Sequence, residues 1–152
     1  MIQFTKTDGG RAAAGFTNKT TAGDCVARAI AIASQRPYIE VYAELAEINA
    51  RMRLTNNRIV KRVAGRRTAS HGIYTKSKVF KDYMKQMGFV WTPTMGIGTG
   101  CKVHVKTGEL PMGRLVLNLS RHCAAVIDGV LHDAYDCSRE GTRCVYGIWR
   151  KT

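Results

Sequence analysis

Acidic side chains are scarce in this chain: 11 Asp and Glu stand against 24 Lys and Arg over 152 residues, a formal net charge of +13 at pH 7. A field of that sign attracts phosphate polyanions and acidic proteins, and it says nothing about the fold. No apolar run is long enough to cross a bilayer, so no membrane partner is expected. Met1 to Arg11 is polar and lacks the apolar stretch of a signal peptide, which makes the cytoplasm the expected compartment. The five cysteines, at 25, 101, 123, 137 and 144, include no C-x-x-C pair. A disulfide scaffold would show an even, denser set, so reduced thiols are expected. Cys101 with His104, or His132 with Cys137 and Cys144, lack the paired spacing of a zinc site, and no metal is expected. Gly96-x-Gly98-x-Gly100 is followed by no helical pattern, so no nucleotide or other cofactor is expected.

What is present suits a single domain over residues 1–152 with a real core, since 45% of the residues are hydrophobic. Residues 1–20, broken by Gly9-Gly10 and Gly15, read as an irregular lead-in. A first helix starts near Asp24, with Thr21 or Asp24 as N-cap and Val26, Ala29, Ile30 and Ala33 as its apolar face. A second runs from Tyr38 to about Met52. A basic connector, 53–71, carries Arg58, Lys61, Arg62, Arg66 and Arg67 without an acidic residue. A third helix spans Ser77 to Met87 and stops at Gly88. Strands are expected at Phe89–Trp91, Lys102–Val105, Leu115–Leu119 and Val145–Trp149, and Asp128-Gly129 marks a two-residue hairpin turn. Helices first and strands afterward predict an α+β fold, N-terminal helices packed on a C-terminal antiparallel sheet.

The hairpin carries chemistry. With the turn at Asp128-Gly129, Ile127 pairs with Val130, and His122, Ala124 and Val126 share a face with Leu131, Asp133 and Tyr135. His122 and Asp133 become diagonal neighbours, while His132 and Asp136 lie on the other face. Cys25 falls in the first turn of its helix, where the dipole and unpaired N–H groups favour a thiolate. A thiol, an imidazole and a carboxylate are the parts of a cysteine hydrolase. Trp91 and Trp149 read as base-stacking platforms or as core plugs.

Gly23-Asp24-Cys25 at the head of an Ala-rich helix, with His122 at a strand start and Asp133 on the next strand, resembles the papain-like cysteine peptidases. Over residues 18 to 150 the chain is also similar to small phage- and prophage-encoded proteins. The residues that carry this likeness include Pro37-Tyr38, Trp91-Thr92-Pro93-Thr94-Met95, Gly113-Arg114-Leu115, Ser120-Arg121-His122 and Gly141-Thr142-Arg143-Cys144-Val145-Tyr146-Gly147. The resemblance implies a phage origin, a host bacterial cytoplasm, a papain-like fold and no particular substrate. It maps the nucleophile to Cys25, the base to His122 and the orienting acid to Asp133. That family also places a Gln several residues before the cysteine as an oxyanion donor. This chain has none between Gln3 and Gln35; Asn18 or Lys19 stands there, and Asn18 is the only amide. The expected oxyanion donors are therefore the Asn18 side chain and the Cys25 backbone N–H.

Two readings follow. One is a Cys-His-Asp hydrolase of peptidase or isopeptidase type, acting on a protein or peptide, with the basic surface recruiting an acidic one. The other is a binding module on the same scaffold, its cations gripping nucleic acid or an acidic host protein.

Overall fold

The computed structural model describes residues 1–16 and 23–152. Its elements are β1 (Gln3–Lys6), α1 (Cys25–Ser34), α2 (Tyr38–Arg51), α3 (Arg58–Val63), α4 (Lys78–Gln86), β2 (Phe89–Pro93), β3 (Arg114–Leu119), β4 (His122–Ile127), β5 (Val130–Asp133) and β6 (Gly147–Lys151). The four helices pack on one six-stranded sheet of order β1-β5-β4-β3-β6-β2, which is the expected α+β class. Among the described residues, no helix is long and apolar enough to cross a membrane.

Small residues set the central packing. Ala27, Ala29, Ala31 and Ala33 of α1 are buried with Cys123 and Ala125 of β4 and Val116 of β3. Short side chains on both sides allow a helix to approach a sheet closely, and a close-packed interface is sensitive to one extra methylene. The opposite face of the same strands builds a second core from Leu115, Leu117, Ala124, Val126, Leu131 and Ile148. β3 and β4 are therefore buried on both faces.

Local signals explain the element ends. The Ser77 hydroxyl caps α4 by accepting from the Phe80 amide at 3.1 Å, and Gly88, with φ +88°, follows its last turn. Asp128 and Gly129 both take positive φ, 47° and 80°, as a twisted two-residue hairpin requires. The pairing is the one the turn dictates: Ile127 opposite Val130, Val126 opposite Leu131.

Four expectations are corrected. The lead-in is not wholly irregular: Gln3–Lys6 joins β5 in parallel, so the sheet is mixed rather than antiparallel. The basic connector holds a helix, because Asn57 accepts from the amides of Ile59 and Val60 and the Val60/Val63 pair buries its inner side. Lys102–Val105 is no strand; only His104 bridges to Cys144, and the last strand begins at Gly147. The cysteines are not all reduced: Cys101 and Cys144 form a disulfide with Cα atoms 5.9 Å apart.

The start of α1 is fixed by a backbone crossing. Gly23 bridges His71 in parallel fashion, and a Cβ at Gly23 would run into the Ser70 carbonyl oxygen. Backbone cannot swing aside as a flexible side chain can. Gly23→Ala is expected to lower the unfolding free energy by about 1–3 kcal/mol, measured by urea titration.

Candidate active site

Asp24 occupies the N-cap position of α1, yet its side chain caps nothing. The fully buried carboxylate instead accepts from Arg28 Nη1 one turn along, from the Tyr38 hydroxyl at 2.6 Å and from Arg11 Nε at 2.9 Å. Three donors are what a buried carboxylate needs to offset its lost hydration. Tyr38 correspondingly holds its proton, its pKa raised by burial and by the Asp24 carboxylate. The other suggested cap, Thr21, lies outside the described residues.

The guanidinium of Arg28 faces a second buried carboxylate. Its Nη2 lies 3.9 Å from Asp133 Oδ1, which also accepts the Ala134 amide at 2.7 Å. Asp133 Oδ2 meets His122 Nε2 at 2.6 Å. The Asp133 backbone is held in turn by β1, with Thr7 N–H donating to its carbonyl at 2.9 Å. His122 is 9% exposed, and its ring packs against Tyr135 with centroids 5.3 Å apart.

Cys25 and His122 come from opposite sides of the sheet plane. Ala124 and Val126, on the His122 face, belong to the second core, whereas Cys123 lies in the first core with α1. His122 is the first residue of β4, so its ring stands at the strand end, where it and the half-buried Cys25 thiol line one cleft and interact electrostatically. With Nε2 on Asp133, Nδ1 is the nitrogen left for the thiol.

The electrostatics follow from these contacts. The Cys25 thiol is held well below its ordinary pKa, first by a hydrogen bond from the Cys123 thiol and then by the bond and charge of His122, against burial, which pushes it up. Burial opposes charge on His122, but its hydrogen bonds to Asp133, Cys137 and Cys25 prevail and push its pKa up to about 12. Cys123 is raised well above the thiol range, mainly by its bond to Cys25. The Cys123 thiol donates to Asn118 Oδ1 at 3.4 Å. The shifts of Cys25 and His122 both favour their charged forms.

The sequence singles out neither Cys123 nor, outside the rejected zinc grouping with His132 and Cys144, Cys137. Both read as small buried residues, and only strand alternation in β4, which sets Cys123 on the α1 side, could have marked the first. Cys137 lies with His122 and Asp133 so that their donor atoms all fall within 4.8 Å of one another, a set that could hold a metal ion. The Asn18 donor lies outside the described residues. The Cys25 N–H stands in the first helical turn, where amides have no intrahelical acceptor.

Cys25 and His122 open into a cleft of about 1520 Å³, beyond the usual size of a small-molecule pocket. Arg58 and Arg62 line it; Lys61, Arg66 and Arg67 do not, and Arg67 pairs with Glu47 on α2. Trp91 and Trp149 both line the cleft, Trp149 at its buried floor.

Removing Asp24 would leave Arg28 and Tyr38 buried with their main partner gone. Asp24→Ala is expected to lose about 3–5 kcal/mol of stability in denaturant titration. Glu44→Ala, which breaks a half-exposed pair with Arg36, is expected to lose at most about 1 kcal/mol. Comparison with known proteins finds no matching family model and no match among curated proteins or solved structures.

Proposed function

We propose that the protein is a papain-like thiol hydrolase, of the phage-encoded kind its sequence resembles, that cleaves peptide or isopeptide bonds. The observation that carries the reading is the convergence of Cys25 and His122 on one cleft, with the His122 ring bound through Nε2 to a buried Asp133. The Cys25 sulfur attacks the acyl carbon, and the carbonyl oxygen takes up the negative charge. The Cys25 N–H is placed to donate to that oxygen. As the tetrahedral adduct collapses, the C–N bond breaks and His122 gives its proton to the departing amine. The acyl group is left as a thioester on Cys25.

The second half needs His122 as a base, which a pKa near 12 would forbid. That value depends in part on the neighbouring thiolate. Acylation removes the thiolate charge, so the ring releases its proton more readily once the thioester exists. His122 then takes a proton from water, whose oxygen attacks the thioester. Collapse expels the Cys25 thiolate and releases the acid, and the imidazolium is restored. Asp133 holds the ring and stabilises its cation in both halves.

A second reading, a binding module that does not use the thiol, is favoured by the exposed cations Lys61 and Arg66, which make no ion pair among the described residues. Cys25→Ala separates the two, because a binder keeps its contacts without the sulfur.

Alkylation by iodoacetamide, followed by peptide mapping, tests the hydrolase reading. Cys25 is expected to react near pH 6 far faster than free cysteine, with the rate falling only as pH drops through its depressed pKa. In His122→Ala that inflection is expected to move up toward the ordinary thiol value. Labelling of Cys25 no faster than free cysteine, with no change in His122→Ala, would overturn the reading.

A further inference from the structure

We propose that the cleft is built for an acidic polypeptide segment, whose carboxylates flank the carbonyl presented to Cys25. The inference rests on the hydrolase reading and adds the substrate class.

The charge of the cleft is of one sign. Arg58 and Arg62 of α3, Lys76, Lys81 of α4 and Arg121 line it, and no Asp or Glu does. All five cations are exposed, and none forms an ion pair among the described residues. The helix-surface pairs lie away from the cleft: Arg36 with Glu40 and Glu44, Arg51 and Arg67 with Glu47, Lys78 with Asp82. Arg28 also lines the cleft but is committed to Asp24 and Asp133.

The few carboxylates are held away from the cleft by definite structural duties. Asp8, Asp128 and Asp136 accept backbone amides in turns, and Glu109 meets His104. The positive walls are therefore uncompensated from within the chain. A low-dielectric cleft lined by one sign of charge concentrates the opposite charge at its centre.

Arg121 is the cation nearest the reacting groups along the chain, one residue before His122. It sits in the β3–β4 turn with φ +56°, a conformation that non-glycine residues seldom adopt. The buried Arg143 guanidinium holds that turn by donating to the Ser120 carbonyl at 2.7 Å. An exposed guanidinium thus lines the cleft one residue before the imidazole, on strained but anchored backbone.

The occupant is a polypeptide rather than a nucleic acid for two reasons. The centre holds a nucleophile suited to acyl carbon. Two of the cleft's aromatic rings are also engaged by neighbours: Trp91 lies over Gly147 and against Trp149, and Tyr135 packs on His122, which leaves Tyr146 as the open ring. Single-strand binding sites need such rings open.

Two heptapeptides ending in a vinyl sulfone, one Glu-rich and one Lys-rich, test the proposal by their rates of labelling Cys25. At low salt the Glu-rich probe is expected to label faster by about tenfold, the combined effect of several exposed charge pairs of about 0.5 kcal/mol each. Added salt is expected to narrow the gap. Arg58→Glu/Arg62→Glu/Arg121→Glu is expected to reverse the preference, and Lys102→Glu, outside the cleft, to retain it. Equal rates with both probes, while iodoacetamide still reacts rapidly at Cys25, would overturn the acidic-substrate proposal and leave the hydrolase standing. Slow iodoacetamide labelling would remove both. A single-stranded oligonucleotide that blocks labelling at lower concentration than the same Glu peptide without its warhead would also overturn the proposal, in favour of nucleic acid.

Discussion

A single buried guanidinium links the two halves of the site. Arg28 reaches from the second turn of α1 to Asp24 at the helix start and toward Asp133 at the end of β5. Burying any of the three charges without an opposite partner would cost on the order of 3–5 kcal/mol. The result is a compact alternation of charge, Arg11, Asp24, Arg28, Asp133 and His122, each facing the next, with Cys25 lining the same cleft as His122. Such an arrangement contributes little net stability compared with an apolar core of equal volume. Its effect is positional, since any slide of α1 along the sheet would strand a buried charge.

That constraint gives the thiol its character. A helix start alone lowers a cysteine pKa modestly, and burial works against it. Here the Cys123 thiol on one side and the imidazole on the other stabilise the sulfur anion, and both come from the first two residues of β4. Adjacent residues of a strand point to opposite faces. They can serve the same sulfur only because they stand at the strand's first turn of pleat, where the ring is free to wrap around the end. A histidine two positions further in would be sealed into the second core with Ala124.

The sequence was most legible where one local rule acts on its own. Ser77 and Gly88 bracket α4, and Asp128-Gly129 sets a register that places His122 and Asp133 on one face. That register suffices to foresee the hydrogen bond at 2.6 Å. Legibility failed where pairing is non-local. Nothing in Gln3–Lys6 announces a parallel partner more than a hundred positions away, and no spacing rule joins Cys101 to Cys144. Asp24 illustrates a subtler failure: the sequence offers Thr21 or Asp24 as the cap, and Asp24 stands at the N-cap position, but two arginines and a tyrosine compete for its oxygens. Tertiary charge outweighs a cap hydrogen bond of about 1 kcal/mol. The helix at 58–63 was hidden because its charges dominate composition while only Val60 and Val63 face inward.

Charge scarcity and charge placement have one explanation. With only 11 carboxylates, each one committed to a turn, a helix-surface pair or the buried chain is missing from elsewhere. The buried chain takes Asp24 and Asp133, and the outer surface of α2 takes Glu40, Glu44 and Glu47. No counter-charge is left for the cleft walls. A net charge of +13 is usually read as a diffuse property of the surface. Here part of it is concentrated around the sulfur, where the arginine of the β3–β4 turn and the histidine after it share a backbone segment. An imidazolium flanked by cations would lose its proton more readily were Asp133 and the thiolate not beside it. The same two anions that hold the ring charged thus allow the cleft around it to remain wholly positive.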